Sequence, residues 1–155
     1  MRLEELLTPD RLACHSEAHS KKRALQEVSH LLSASEPALS EDEVFDALLS
    51  RERLGTTGLG HGVAIPHGRL ARLGRARAAM LKLDEGIDFD AVDQQPVDLI
   101  IALLVPAETT KEHLDLLAQL AEMLADERFV TRLRGARNCQ ALHDLIASWQ
   151  PPTAA

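Results

Sequence analysis

The sequence predicts an α/β fold: a single layered domain in which helices flank a mixed β-sheet. Three observations support this prediction. The length of 155 residues fits one domain, which we place at 1–149, followed by a flexible C-terminal tail at 150–155. The segment VDLIIALLVP, residues 97–106, is apolar at odd and even positions alike, as in a central strand covered on both faces. Segments of helical periodicity alternate with strand candidates along the chain.

Composition limits the partners and the compartment that we expect. The formal net charge of −7 disfavours nucleic acid, because binding a phosphate backbone requires a basic surface. The longest unbroken apolar run, residues 99–105, is far shorter than the roughly 20 residues of a membrane-spanning helix, so no membrane insertion is expected. Cys14 and Cys139 are too few for a disulfide framework, which predicts two reduced thiols in a cytoplasmic protein.

Two helices are predicted in the first third of the chain. Ser20 is placed to cap a helix over residues 21–33. Ser40 and Glu43 form a capping-box pattern before a second helix over residues 41–52. Apolar residues recur at helical spacing in both segments, which gives each helix one face for the core. These residues are Leu25, Val28, Leu32, Val44, Phe45, Leu48 and Leu49.

The middle of the chain supplies the strands. Residues 53–62, RLGTTGLGHG, are rich in Gly and Thr and predict irregular structure. VAIP, residues 63–66, predicts a short strand that its proline closes. RARAAMLKLD, residues 75–84, predicts another strand, and an acidic connection leads from it to the apolar central strand.

The last third of the chain predicts three helices. Thr109 and Glu112 form another capping-box pattern, which opens a helix that runs to residue 125. Asp126 and Asn138 are each placed to begin a further helix. The residues that fall on the inner side of the last helix are Leu142, Leu145, Ile146 and Trp149.

His67 is the histidine whose surroundings most favour chemistry. Pro66 fixes its own φ angle and lacks an N–H group, so the strand is expected to stop there. Gly68 removes side-chain bulk on the other side and permits a positive φ. The imidazole is therefore expected to project from a strand end, where a large partner can reach it. An ordinary histidine has a pKa of about 6.5, so its neutral, nucleophilic form is available near pH 7. The alternative is a turn histidine bonded to a nearby carbonyl.

His113 is the second candidate, because the predicted capping box places it in the first turn of a helix. The positive end of the helix dipole disfavours an imidazolium there and stabilises an anion. A neutral His113 can donate an N–H group to a phosphoryl oxygen. Arg51, near the end of the second helix, can add a charge-assisted contact. The alternative for Arg51 is a solvated helix end.

The remaining histidines do not predict a metal site. Along one strand, at about 3.3 Å per residue, His61 and His67 would lie roughly 20 Å apart, too far to share an ion. His15 and His19 have the spacing of a helical metal clamp, but they precede the cap at Ser20. We therefore expect neither a metal nor another cofactor.

The segment TTGLGHGVAIPHGR, residues 56–69, resembles the active-site signature of type 2 enzyme IIA domains of the bacterial phosphotransferase system. The similarity continues through SKKRAL, RERLGTTG, FDAVDQQPVDLIIALLVPA and TKEHLDLLAQLAEMLAD, and it covers residues 3–147 in one order. SKKRAL and QPVDLIIALLVPA favour the nitrogen-related, regulatory member of this family over its fructose and mannitol members. The fold that the family implies, a mixed sheet flanked by helices, agrees with the predicted fold.

The resemblance implies roles for residues already singled out. His67 matches the phosphorylated histidine, which receives its phosphoryl group from a small histidine-containing phosphocarrier protein. His113 matches the second active-site histidine, which positions and stabilises that group. Arg51 matches an arginine that supports the group, and Thr57 and Gly68 belong to the motif that lines the site.

The resemblance implies a cytoplasmic phosphocarrier in a phosphoenolpyruvate-dependent relay, with a regulatory role related to nitrogen and potassium. Its targets would be regulatory proteins, such as potassium-transport or sensor proteins. The alternative is a sugar-specific enzyme IIA that passes the phosphoryl group to an enzyme IIB for sugar uptake. A third possibility is a pure binding module whose histidine no longer turns over.

Overall fold

The computed structural model describes residues 3–34, 36–108 and 110–150, and the predicted tail therefore lies outside it except for Gln150. Within these ranges, six strands form one mixed sheet with helices on both faces, which confirms the predicted α/β fold. The helices are α1 (Leu3–Leu6), α2 (Lys21–Ser33), α3 (Glu41–Leu54), α4 (Lys111–Ala125), α5 (Glu127–Gly135) and α6 (Cys139–Ser148), with a 3₁₀ helix at Pro9–Arg11. The strands are β1 (Leu12–Ser16), β2 (Gly58–Gly60), β3 (Val63–Ala64), β4 (His67–Leu70), β5 (Arg77–Ile87) and β6 (Val97–Pro106).

The sheet is built around β6, which has strand neighbours on both sides. The strand order is β1-β5-β6-β3-β2, and β4 also pairs with β6, beyond the end of β3. β5 runs antiparallel to β6, whereas β3 and β4 run parallel to it. The register pairs Val63 with Leu99 and His67 with Leu103, so β3 and β4 follow the same edge of β6 in succession.

The two faces of β6 explain why its sequence is apolar at every position. Successive side chains of a strand point to opposite faces of the sheet. Leu103 packs in a core with α1, α4, α5 and α6, and we call this side the first face. Leu104 packs in a separate core with α2 and α3, on the second face. Each leucine or isoleucine that β6 buries fully contributes about 1.5–3 kcal/mol, so this strand anchors both layers. The prediction of a central strand is confirmed.

Polar caps begin the helices where the sequence predicts them. The side-chain oxygens of Ser20, Ser40, Asp126 and Asn138 each accept a backbone N–H from three residues further on. These contacts satisfy donors that have no partner inside the helix. The longest described helix, α4, has 15 residues. No helix in the described part of the chain is long and apolar enough to span a membrane.

The start of α4 differs from the prediction. Its N-cap is Thr110, whose hydroxyl accepts the N–H of His113, and the His113 side chain accepts the N–H of Thr110 in return. His113 is thus the third helical residue, and it takes the place that the prediction gave to Glu112 in the capping box. Thr109, the predicted cap, lies outside the described residues. Thr109 with Glu112 matches the usual capping-box pattern, but Thr110 is an equally good cap and the His113 ring supplies the acceptor in place of Glu or Gln, so the pattern alone does not fix the frame.

Three short strands were not predicted. β1 precedes α2, and β2 lies inside the Gly- and Thr-rich segment that predicted irregular structure. β4 begins directly after Pro66, where the strand was expected to stop. Pro66 lacks an N–H group, but its carbonyl accepts the N–H of Leu103 at 2.9 Å, so the chain stays aligned with β6. The predicted strand at 75–84 is observed as β5, which extends into the acidic connection.

The two cysteines are joined, so the prediction of two reduced thiols is wrong. Cys14 of β1 and Cys139, the first residue of α6, form a disulfide bond with their Cα atoms 5.6 Å apart. They are 125 residues apart in sequence, and only the fold brings them together. The same region holds α1 against α6, where Nε2 of His143 donates to the carbonyl of Glu4 at 3.3 Å.

Candidate functional site

His67 is the first residue of β4, a strand that pairs with β6 on one side and has no strand partner on the other within the described ranges. Its register partner Leu103 points to the first face, so the half-buried imidazole lies on the side of the sheet that α4 covers. The position at an open sheet edge leaves room for a partner to approach.

The hydrogen bond made by His67 fixes which ring nitrogen carries the proton. Nδ1 lies 2.9 Å from the carbonyl oxygen of Ile65. A carbonyl can only accept, so Nδ1 is the donor, and in the neutral ring the lone pair is on Nε2. No hydrogen bond to Nε2 occurs among the residues that the structure describes. His67 is therefore bonded to a carbonyl, as one interpretation held, and its other nitrogen is still free to act as a nucleophile.

Gly68 is needed for close packing and not for its backbone angle. Its φ is not positive, contrary to what the sequence analysis allowed for. A Cβ at Gly68 would lie 3.0 Å from the carbonyl carbon and oxygen of Ala47 and 3.2 Å from its Cβ. Ala47 belongs to α3, so Gly68 faces the second face while His67 faces the first. Glycine thus lets α3 support β4 directly from behind the histidine.

His113 presents the opposite tautomer. Its Nδ1 accepts the backbone N–H of Thr110 at 3.3 Å and lies 3.2 Å from the Thr110 hydroxyl. Because Nδ1 accepts, the proton of the neutral ring is on Nε2, which is a donor. α4 packs its apolar residues into the core of the first face, so His113 and His67 belong to the same side of the sheet.

Arg51 lies in the last turn of α3, and its guanidinium Nη1 donates to the carbonyl of Gly55 at 2.8 Å. This contact satisfies a carbonyl just beyond the helix end. The positive charge of the guanidinium also interacts favourably with the negative, C-terminal end of the α3 dipole. The bond to Gly55 uses one N–H group of the guanidinium and leaves its other N–H groups for a ligand. A role of Arg51 towards a phosphoryl group stays a prediction.

Thr57 is buried, with 4% of its surface exposed, and both of its donors are used. Its hydroxyl donates to one carboxylate oxygen of Glu52, and its backbone N–H donates to the other at 3.3 Å. Glu52 is itself 7% exposed. The predicted contribution of Thr57 to the lining of the site stays a prediction, and its hydroxyl points to Glu52.

Lys21 compensates the buried charge of Glu52. Its Nζ lies 2.9 Å from Oε2 of Glu52 and 3.4 Å from the exposed carboxylate of Asp90. The same ammonium group lies 4.8 Å from the centre of the Phe89 ring, within the range of a cation–π contact. A buried carboxylate is tolerated only when it is paired and hydrogen-bonded in this way.

Glu52 is the residue that sequence reasoning missed. It lies eight residues after Val44 and four after Leu48, both fully buried, so it continues the inner stripe of α3. Helical spacing therefore places an acidic residue in the core, and this signal was available from the sequence. Its partner Lys21 was likewise given no role.

A separate polar cluster holds the turn between β2 and β3. The guanidinium of Arg134 binds both carboxylate oxygens of Asp98, at 2.9–3.1 Å, and donates to the carbonyl of His61 at 2.8 Å. The backbone N–H groups of His61 and Gln95 donate to Asp93 and hold the pKa of that carboxyl below its usual value. The His61 side chain is exposed, and its Nδ1 lies 3.7 Å from a carboxylate oxygen of Glu127.

Comparison with known proteins places the chain in a family. The family described as "Phosphoenolpyruvate-dependent sugar phosphotransferase system, EIIA 2" matches residues 5–149. The chain is 43% identical over 150 residues to the nitrogen regulatory protein of Pseudomonas aeruginosa, a match that covers 97% of each sequence. It resembles the crystal structure of nitrogen regulatory protein IIA-Ntr from Neisseria meningitidis with a TM-score of 0.88 and 38% identity, over 93% of this chain and 98% of that one.

The fold extends to more distant proteins. The complex of mannitol enzyme IIA with phosphorylated enzyme IIB from Escherichia coli matches with a TM-score of 0.75 at 22% identity, over 93% of this chain and 100% of that one. The resemblance stated from the sequence is confirmed, including its preference for the nitrogen regulatory members. The chain belongs to the type 2 enzyme IIA family of the phosphoenolpyruvate-dependent phosphotransferase system.

Proposed function

We propose that the protein is a cytoplasmic phosphocarrier whose His67 accepts a phosphoryl group from a histidine-containing phosphocarrier protein. The observation that carries this proposal is the bond from Nδ1 of His67 to the carbonyl of Ile65, which leaves the Nε2 lone pair at an open sheet edge. Nε2 attacks phosphorus in line, the donor's N–P bond breaks, and its electron pair returns to the donor ring. The proton on Nδ1 stays in place.

The Ile65 carbonyl also favours the product of this step. When Nε2 forms its bond to phosphorus, positive charge develops on the His67 ring and its Nδ1–H becomes a stronger donor. A hydrogen bond from a charged donor is shorter and roughly twice as strong as a neutral one. The bond at 2.9 Å therefore strengthens as the phosphoryl group arrives, without any movement of the backbone.

We assign supporting roles to the other predicted residues. His113 donates its Nε2–H to a phosphoryl oxygen, with the positive end of the α4 dipole behind it. The free N–H groups of Arg51 bind a second oxygen. Thr57 stabilises the backbone next to the site through its hydrogen bond to Glu52. Gly68 allows α3 to pack closely against β4 and so fixes the position of the strand.

The regulatory part of the proposal comes from the relatives, which are named nitrogen regulatory proteins. The phosphoryl group brings about two negative charges on its oxygens, and the ring that keeps its Nδ1 proton carries one positive charge, so the site becomes more negative by about one charge. A protein that binds this edge of the sheet will distinguish the two states by that charge. We propose that such partners include potassium-transport or sensor proteins.

Phosphorylation by purified components tests the carrier proposal. With phosphoenolpyruvate, the upstream enzyme and the phosphocarrier protein, one acid-labile phosphate per chain is expected on Nε2 of His67, as identified by phosphorus NMR. His67→Ala should not be labelled. His61→Gln, a change in the same motif at an exposed side chain, should be labelled at the normal rate. Equal labelling of His67→Ala would refute the proposal.

A sugar-transport role is the second candidate, favoured by the shared fold with a mannitol enzyme IIA that was solved bound to phosphorylated enzyme IIB. It uses the same His67 chemistry, so onward transfer separates the two roles. Rapid transfer from the phosphorylated protein to a purified enzyme IIB would support the transport role. A pure binding module would show partner binding with no label on His67.

A further inference from the structure

The buried carboxylate of Glu52 calls for a physical explanation. It lies on the inner stripe of α3, next along from Leu48, where an apolar residue would pack at lower cost. Removing a carboxylate from water costs several kcal/mol even after relaxation, and pairing with Lys21 offsets that cost only in part. A charge retained in such a place has a structural or functional task.

The task that the contacts indicate is to hold Thr57. Both carboxylate oxygens of Glu52 receive a donor from this residue, one the hydroxyl and the other the backbone N–H at 3.3 Å. Lys21 holds the carboxylate itself, with Nζ at 2.9 Å from Oε2. The Thr57 backbone is thereby fixed relative to α2 and α3, although it lies in the glycine-rich segment before β2.

Thr57 in turn fixes the residue that bonds to His67. The carbonyl of Thr57 accepts the N–H of Ile65 at 3.1 Å, and the carbonyl of Ile65 accepts Nδ1–H of His67 at 2.9 Å. On the other side of the strand, the carbonyl of Pro66 accepts the N–H of Leu103 at 2.9 Å. The peptide groups before Ile65 and after Pro66 are thus both anchored, which limits rotation of the Ile65 carbonyl between them. Release on the Thr57 side allows the Ile65 carbonyl to turn away from the ring.

We propose that Glu52 is a positioning residue for His67: through Thr57 and Ile65 it keeps the imidazole in the tautomer with its lone pair on Nε2. An imidazole without this carbonyl samples both tautomers, and the one protonated at Nε2 has no lone pair there for phosphorus. The proposal rests on the proposed function for its consequence in phosphoryl transfer. The tautomer itself is measured without any phosphorylation, so the two can fail separately.

A matched pair of charge-neutralising variants tests it. Glu52→Gln keeps the size of the side chain, but its amide cannot accept both donors of Thr57. Asp90→Asn removes the other carboxylate on Lys21, is exposed, and does not touch Thr57. Nitrogen-15 NMR of the neutral His67 ring should show an unprotonated Nε2 in the wild type and in Asp90→Asn. In Glu52→Gln the two ring nitrogens should shift towards each other, as expected for mixed tautomers.

Transfer kinetics give a second readout. The phosphorylation rate of Glu52→Gln should fall roughly tenfold, the effect of losing one charge-assisted hydrogen bond. The proposal is overturned if Glu52→Gln is folded by circular dichroism and retains the wild-type nitrogen spectrum. It is also overturned if wild-type His67 is protonated at Nε2. A wild type that is never phosphorylated would refute the proposed function and leave the tautomer result to decide on Glu52.

Variants of Thr57 keep the test valid if Glu52→Gln does not fold. Thr57→Val preserves shape and removes the hydroxyl that donates to Glu52. Thr57→Ser keeps that hydroxyl. We expect Thr57→Val to show mixed His67 tautomers and Thr57→Ser to restore the wild-type nitrogen spectrum. Identical spectra for the two variants would overturn the proposal, because a role in packing alone does not distinguish them by tautomer.

Discussion

At the scale of single residues, two histidines present the same ring nitrogen in opposite states. His67 gives its Nδ1 proton to a carbonyl and keeps a lone pair on Nε2, whereas His113 accepts at Nδ1 and carries its proton on Nε2. Backbone groups set both states. In the proposed reaction, His67 attacks phosphorus and His113 donates to a phosphoryl oxygen, and neither ring has to exchange a proton with water first.

Substitution of His113 should separate its two tasks. His113→Ala removes the acceptor for the Thr110 N–H and should lower the free energy of unfolding by about 1 kcal/mol. His113→Gln keeps an acceptor at the third helical position and should change stability by only a few tenths of that amount. His113→Ala has no donor for the phosphoryl group, so its phosphoryl-transfer rate should fall about 100-fold. The amide of His113→Gln keeps an N–H donor, so its transfer rate should fall less.

Urea unfolding and phosphorylation rates measure these two effects. His30→Gln is the control, because His30 is exposed and, among the described residues, the hydrogen bond of its ring is to the exposed Glu41. It should leave the transfer rate unchanged. A wild-type transfer rate in His113→Ala would show that the Nε2–H of His113 takes no part in the reaction.

At the scale of secondary-structure elements, the contact between β4 and α3 sets the position of the site. Gly68→Ala adds a methyl group 3.0 Å from the backbone of Ala47, so α3 has to move or strain. Overpacking of this kind costs about 1–3 kcal/mol in unfolding free energy. Gly74→Ala is the control: its added methyl meets nothing within 4 Å, and its φ is not positive. Chemical denaturation of both variants should show a loss only for Gly68→Ala, and equal stability would contradict the packing argument.

The turn between β2 and β3 gives a second prediction at this scale. Arg134→Lys replaces a guanidinium that bridges Asp98 and the His61 carbonyl with a single ammonium group, which cannot reproduce the bidentate geometry. The side chains of the pair are about one-third exposed, which limits the loss to about 1 kcal/mol. Thermal unfolding should show the loss for Arg134→Lys and none for the exposed Arg132→Lys. Equal melting temperatures would mean that the bridge contributes nothing.

The elements that the sequence predicted are those whose signals are local. Caps such as Ser20 and Asn138, and apolar residues at helical spacing, act within one turn of chain, so α2 to α6 followed from the pattern, whereas the short α1 and the 3₁₀ helix did not. β1 and β4 have five and four residues, and their partners β5 and β6 lie far along the chain. The three-residue β2 pairs with the neighbouring β3, which is itself held by the distant β6. The site divides in the same way. The sequence motif identified His67. The chain of hydrogen bonds that leads from Glu52 through Thr57 to Ile65 depends instead on pairing across the β2–β3 hairpin.

At the scale of the whole molecule, the disulfide joins the first strand to the last helix. A crosslink between residues 125 positions apart removes much of the freedom of the unfolded chain. The loop-closure model assigns about 4–5 kcal/mol to such a loop. Reduction should therefore lower the unfolding free energy by up to this amount, and a reducing compartment would contain the less stable form.

Denaturation with and without a reducing agent measures this contribution. The paired variant Cys14→Ser with Cys139→Ser should match the reduced protein and be insensitive to the reducing agent. Two thiols that react freely in the untreated native protein would contradict the bond.

The same junction brings the first and last described helices together, since α1 packs on α6 and the carbonyl of Glu4 accepts Nε2–H of His143. A short peptide can therefore join them, and new termini can be opened in the exposed turn around Gly74. Such a circular permutant would place the sequence of α6 ahead of α1 and leave every strand of the sheet intact. In a fusion protein, both attachment points would then emerge between β4 and β5 instead of at the layer that carries α1 and α6.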